Sequence, residues 1–326
     1  MKSLRLSIIA FVFVSFFASL ALAQESVDIH ARLPFDSAVR TGKLPNGLTY
    51  YVRHNGYPKQ RAELRLVIHA GSVLEDDDQQ GLAHFNEHMC FNGTVQFPHN
   101  MLESFLEEHG ARFGADLNAY TSFDETVYKE SLPTDQGSIL DSGVDILGEW
   151  AHNVTFDSVE FEKERGVVGE EWRLGRGAFE RIYQKQAPLI FAGSKYASRN
   201  PIGLKPVIDT AHRSTILRFY HDWYRPDLMA VVVVGDFDPD QMVEKIKSEF
   251  SPLTNPANER PRTEFPIPPH SDTYVAINTD KEMPQTIFSA MFVRPKEYEV
   301  TVGDYRKDLV TQLYDQMLNA RVQEAI

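Results

Sequence analysis

The run His84-Phe85-Asn86-Glu87-His88 constrains this chain more than any other five residues. Residues four apart share one face of an α-helix, so a helix here aims two imidazoles at a single point, with Glu87 beside it. Two neutral imidazoles and a neighbouring carboxylate are what a catalytic zinc ion requires: two ligands, and a base for its water. Such a helix cannot stand alone. A third protein ligand must arrive from another element, and one coordination position must stay open.

The third ligand has few sources. Ser158 to Arg173 reads as a long helix rich in carboxylates: Glu160, Glu162, Glu164, Glu170 and Glu171. Glu164 and Glu171 are seven apart and share a face, whereas Glu170 is turned by about 100° from Glu171. One of the pair on the shared face reaches the metal, and the other sits a turn away and hydrogen-bonds a ligand histidine.

Around these two helices the pattern alternates between strands and helices. Pro45-Asn46-Gly47 is a turn that leads into a strand over Leu48 to Val52, and Glu63 to His69 alternates apolar and polar residues as a second strand. The histidine helix spans Gly81 to Cys90, and an amphipathic helix spans Asn100 to His109. Two more strands, Asp116 to Tyr120 and Glu125 to Glu130, precede long helices over Gly137 to Asn153 and Ser158 to Arg173. Pro188 to Gly203 reads as a loop. A helix over Ser214 to Tyr224, a strand over Leu228 to Val234 and a helix over Pro239 to Phe250 complete the first domain.

Residues 253–269 are proline-rich and read as a linker. Beyond it, Thr273 to Asn278 and Gln285 to Phe292 read as strands and Lys307 to Glu324 as a helix, the start of a second domain over 270–326. The expected organisation is thus a signal peptide (1–23), a leader arm (24–42), a zinc domain (43–252), the linker, and an incomplete second domain.

The first 23 residues carry Lys2 and Arg5, then an apolar run from Leu6 to Ala18, then Ala21-Leu22-Ala23 as a cleavage site. That is an export signal, too short for a comfortable membrane span, and no later stretch is apolar enough to cross a bilayer. The expected address is the periplasm, with secretion beyond it as the alternative. Cys90 is the single cysteine of the 326 residues, so the exported fold is not stapled internally. A formal charge of -13 with no basic stripe argues against a nucleic-acid partner.

Taken in order, these segments resemble the pitrilysin/insulinase family of inverted-motif zinc peptidases, which includes the mitochondrial processing peptidases. Lys43-Leu44-Pro45-Asn46-Gly47-Leu48-Thr49 looks like the family's opening strand and Gly81 to Met89 like its zinc helix. Asn118-Ala119-Tyr120-Thr121-Ser122 with Thr126 and Tyr128 is similar to its Asn-Ala…Thr…Tyr hairpin. Glu164 to Glu171 resembles the segment that bears the third ligand, and Trp223-Tyr224-Arg225-Pro226 and Val234-Gly235-Asp236-Phe237 match later landmarks.

The resemblance implies an α+β unit, a mostly antiparallel sheet with helices on one face, followed by the start of a second similar unit. It implies one zinc ion per chain, held by His84, His88 and Glu171, with Glu164 supporting a histidine and Glu87 as general base on the zinc-bound water. It further implies a peptide substrate paired along Asn118 and Ala119, with Phe91 as a candidate pocket residue. The chamber would be completed by the C-terminal half of the same protein or by a second subunit. The implied activity is endopeptidase action on peptides or small unfolded proteins. The alternative is a subunit that binds peptides without cleaving them.

Overall fold

The computed structural model describes residues 27–325 apart from 110 and 113. The signal segment, 1–23, lies outside the described residues. The chain divides into two compact units, Ser37–Arg294 and a second that joins the chain up to Asp36 with Pro295–Ile326.

The larger unit is built on six strands: β1 (Arg40–Lys43), β2 (Thr49–His54), β3 (Arg61–Ile68), β4 (Leu117–Thr121), β5 (Thr126–Pro133) and β6 (Met229–Gly235). Their order across the sheet is β1-β2-β6-β3-β5-β4. Every neighbouring pair is antiparallel except β2 and β6, which run parallel. The expected mostly antiparallel sheet is therefore present.

Alternation sets its buried face. On β3, Ala62, Leu64, Leu66 and Ile68 are buried while Glu63 and Arg65 are exposed, as period-two side-chain geometry requires. Tyr128 and Leu132 of β5 and Val231 and Val233 of β6 join the same core. Eight helices accompany the sheet: α1 (Leu82–Phe91), α2 (Met101–Glu108), α3 (Gly137–His152), α4 (Ser158–Leu174), α5 (Ala178–Ile190), α6 (Lys205–Thr210), α7 (Arg213–Trp223) and α8 (Pro239–Phe250). Helices α1, α3 and α8 pack directly on strands, and α4 and α7 pack against α1.

Four segments differ from the sequence reading. Strand β1 takes the end of the expected leader arm, residues 40–42, together with Lys43, and pairs with β2; an edge strand needs only backbone partners, so its composition carries no alternation. Helix α5 occupies a stretch with no expected element and runs two residues past Pro188. Thr273 to Asn278 and Gln285 to Phe292 form no ladder among the described residues. A strand is defined by a neighbour's backbone, and none lies alongside them.

The proline-rich segment 253–269 has no helix or strand, yet it is fastened to the sheet unit. Arg260 bonds Asp76 (2.9 and 3.0 Å) and Asp222 (2.8 Å). Arg262 donates to the carbonyl of His69 (3.0 Å), and Asn255 donates to that of Asn46 (2.8 Å).

In the smaller unit, helix α9 (Val302–Ala325) begins five residues before its expected start. Thr301 and Asp304 cap it reciprocally, the Asp304 carboxylate accepting from Thr301 N (2.8 Å) and Thr301 Oγ1 from Asp304 N (3.2 Å). Among the described residues, no helix is long and apolar enough to cross a membrane.

Candidate metal centre and active site

Helix α1 begins where two glycines cross. Gly81 sits at φ +102, and a Cβ on Gly203 would lie 2.2 Å from the Gly81 Cα, so neither position tolerates a side chain. The cap comes from upstream: Glu75 Oε1 accepts from Gly81 N (3.0 Å) and Ala83 N (2.8 Å). Burial pushes the Glu75 carboxyl up to about 8, against the pull of those two amides. Leu82, Ala83, Phe85 and Met89 enter the core, which turns His84 and His88 toward α4.

Helix α4 brings the carboxylates. Asp157 caps it by accepting from Val159 N (2.8 Å) and Glu160 N (3.1 Å). Its Phe161 stacks on Phe85 of α1, centroids 4.9 Å apart and planes 5° from parallel. Arg165 donates to the carbonyls of Ile208 and Ala211, tying α4 to the chain around α6.

These contacts converge three donors. His84 Nε2 and His88 Nε2 lie 3.3 Å apart with their rings nearly perpendicular, at 81°. Glu171 Oε1 is 3.7 Å from His84 Nε2, and Glu171 Oε2 is 3.3 Å from His88 Nε2. Zinc bonds of about 2.0–2.2 Å in a tetrahedron need donors about 3.3–3.6 Å apart; the two imidazole nitrogens stand at that spacing, and Glu171 turns one oxygen toward each of them, so the donor set suits that ion. Glu171 is half exposed, which leaves the open side of the cluster toward solvent. Glu170 is absent from the cluster; it pairs with Arg173 at 2.8 Å.

Glu164 sits a turn away, where its Oε1 accepts from His88 Nδ1 at 2.7 Å. That bond directs Nε2 toward the shared point. Burial lowers the His88 imidazole, but hydrogen bonds to Glu164 and Glu171 outweigh it and bring it up to about 9. His84 goes the other way, pushed down to about 4 by burial and by His88. Glu171 is lowered, first by its hydrogen bond to His88. A divalent ion held by these residues would compete with protons for His88 Nε2 and Glu171.

Glu87 is 7 % exposed and its Oε2 accepts from Thr121 Oγ1 at 2.5 Å. Burial raises its carboxyl to about 7, opposed by the Thr121 bond. Asn118 and Ala119 lie on β4, at the end of the strand order. Asn118 is exposed, and its Oδ1 accepts from Ala119 N at 2.8 Å. Phe91 is half buried and packs against Trp150 and Tyr128, centroids 5.3 and 6.1 Å away; those are the contacts of a core ring. Cys90 is buried, its Sγ 3.1 Å from Tyr128 Oη, and burial pushes the thiol far up, which leaves it unreactive.

Two residues at this site carry roles that the sequence reading leaves out. Thr121 alternates with Ala119 on β4, so the strand period places both on the helix side. Glu75 had no such signal, because no spacing rule links a helix start to a carboxylate six residues upstream.

Two family models match the chain: Insulinase (Peptidase family M16) over residues 50–178 and Peptidase M16 inactive domain over residues 211–320. The chain is 37% identical over 316 residues to the probable zinc protease PqqL of Haemophilus influenzae, covering 96% of this chain and 34% of that protein. It is also 37% identical over 301 residues to the Escherichia coli protein of the same name, covering 90% and 32%. The chain therefore spans about a third of the length of these relatives. The crystal structure of the first half of the periplasmic protease PqqL from Escherichia coli superimposes with a TM-score of 0.69 at 41% identity, over 73% of this chain and 51% of that one. The ferredoxin protease FusC, solved in complex with Arabidopsis ferredoxin, gives 0.65 at 30% identity, over 73% and 26%.

Proposed function

This chain belongs to the insulinase family of peptidases, family M16, and from that premise we propose that it carries the zinc centre of an exported endopeptidase acting on peptides or small unfolded proteins. The observation that carries the proposal is the meeting of His84, His88 and Glu171 within 4.8 Å of one another, with Glu87 on the same helix.

His84, His88 and Glu171 hold one zinc ion, and Glu164 fixes the orientation of His88. When bound, zinc supplies Lewis acidity to the scissile carbonyl and to the attacking water. Glu87 accepts that water's proton on its free oxygen and returns it to the leaving amine nitrogen. The peptide adds as a strand along β4, gripped through its backbone beside Asn118 and Ala119. Such pairing tolerates many sequences. The remainder of a longer protein, or a second subunit, closes the chamber over the sheet. The export signal and the periplasmic relative support a periplasmic address. The retention of all three ligands and of Glu87 favours catalysis over a subunit that only holds peptides.

The test is metal analysis with turnover of a quenched fluorescent peptide, in the full-length protein. Glu87→Gln is expected to keep about one zinc per chain and to lose turnover by about 10²–10⁴-fold. His84→Ala and Glu171→Ala are expected to lose the metal. Turnover retained by Glu87→Gln removes Glu87 as the base, and zinc retained near one equivalent by either ligand variant removes that ligand.

A further inference from the structure

Glu87 is aimed by a residue that no metal motif contains. The burial of β4 alternates: Leu117 is buried, Asn118 and Tyr120 are exposed, and Ala119 and Thr121 are intermediate. Leu117, Ala119 and Thr121 thus share the helix-facing side, and α1 packs on this strand. Among the described residues, Thr121 is the hydrogen-bond partner of the Glu87 carboxylate, at 2.5 Å.

Distance decides where the hydroxyl proton goes. Thr126 Oγ1, which sends its own proton to Ala70 O at 3.0 Å, could only accept from Thr121, and it lies 3.4 Å away against 2.5 Å for Glu87 Oε2. The hairpin tip beyond Thr121 is anchored as well. Ser122 O accepts from Ser72 N (3.0 Å) and Phe123 O from Val73 N (2.9 Å). Tyr196 Oη reaches both carboxylate oxygens of Asp124, at 2.7 and 2.6 Å. Thr121 is thus a fixed point on an edge strand, bonded to a side chain on the metal helix.

We propose that Thr121 is a positioning residue for Glu87: its hydroxyl holds Oε2, so that Oε1 faces the attacking water. The proposal rests on Glu87 as base, as set out above.

Two variants of the full-length protein separate this role from packing. Thr121→Val removes the hydroxyl and nearly keeps the shape; Thr121→Ser keeps the hydroxyl. In the valine variant, zinc content and thermal midpoint are expected to stay near wild type. Its kcat is expected to fall about 10–100-fold while KM changes less than about threefold. The serine variant is expected to recover kcat to within about threefold of wild type. A valine variant with wild-type kcat overturns the proposal, as does an equal loss in both variants or a loss of zinc. Crystal structures give a readout that does not depend on turnover. Glu87 is expected to leave its single orientation in the valine variant and to keep it in the serine variant; an unmoved carboxylate in the valine variant overturns the proposal. A Glu87→Gln variant that retains turnover marks failure of the underlying reading instead.

Discussion

Burial treats the acidic side chains of this chain differently, according to what each finds inside. Glu75 finds two backbone amides and Glu87 finds a hydroxyl. Glu130, on β5, is fully buried, and among the described residues neither of its oxygens has a hydrogen-bond partner. Its nearest helix is α3, where a Cβ on Gly143 would come within 2.9 Å of Glu130 Oε2 and 2.4 Å of Leu132 Cδ1. Burial alone holds this carboxyl well above the ordinary range. A carboxyl raised in the folded state stabilises fully below its unfolded value of 4.5 and loses that contribution as pH climbs toward the folded value. The loss runs at up to about 1.4 kcal/mol per pH unit. Glu130→Gln is therefore expected to match wild type near pH 4.5 and to become progressively more stable by pH 8, measured by denaturant unfolding. A difference that does not change with pH would rule out this titration. At this scale, helical period is a property of sequence alone and made the faces of the candidate metal residues legible, whereas the choice of Glu171 as third ligand came from the family resemblance. His84, Glu87 and His88 declare one face, and Glu164 and Glu171 another. The isolation of Glu130 was not legible, since it depends on which strands flank it.

The centre exists because two helices are held in register. Helix α4 buries only Phe161, Val168 and Gly169, so its position depends heavily on the Phe85–Phe161 stack and on Arg165. Phe161→Ala is expected to lower unfolding stability by about 3–5 kcal/mol and to weaken zinc binding, because Glu171 rides on the same helix. Denaturant unfolding and competition with a chelator measure the two effects; zinc affinity unchanged beside a large stability loss would show that α4 is placed by other contacts. Element types were largely readable from period, and Pro239–Phe250 has the bounds that the sequence suggested, with Asp238 found to cap it. The exceptions share a cause. Strand β1, the parallel pairing of β2 with β6, and the missing ladders at 273–278 and 285–292 are settled by which backbones lie alongside, and composition does not record that. Helix α5 was not read, and Pro188, two residues from its end, forfeits its own amide bond and leaves the earlier turns intact.

At the scale of the molecule, length governs what can be asked of the chain. Its curated relatives are about three times as long, and under the proposed function that remaining length would supply the chamber's other wall. Expressed by itself, the 326-residue chain is expected to bind one zinc ion and to turn over a fluorogenic peptide about 100-fold or more slowly than the form completed by that length, since positioning is what it lacks. Equal rates for the two would show that the first unit suffices. The strap at 253–269 adds a consequence of another kind. Arg260 fastens it to Asp76, the immediate neighbour of the carboxylate that caps the histidine helix. A pull on this strap is therefore delivered one residue from that capping carboxylate, and these ionic rivets slacken as brine concentrates. Tension in the strap and dissolved electrolyte thus act on the same small joint.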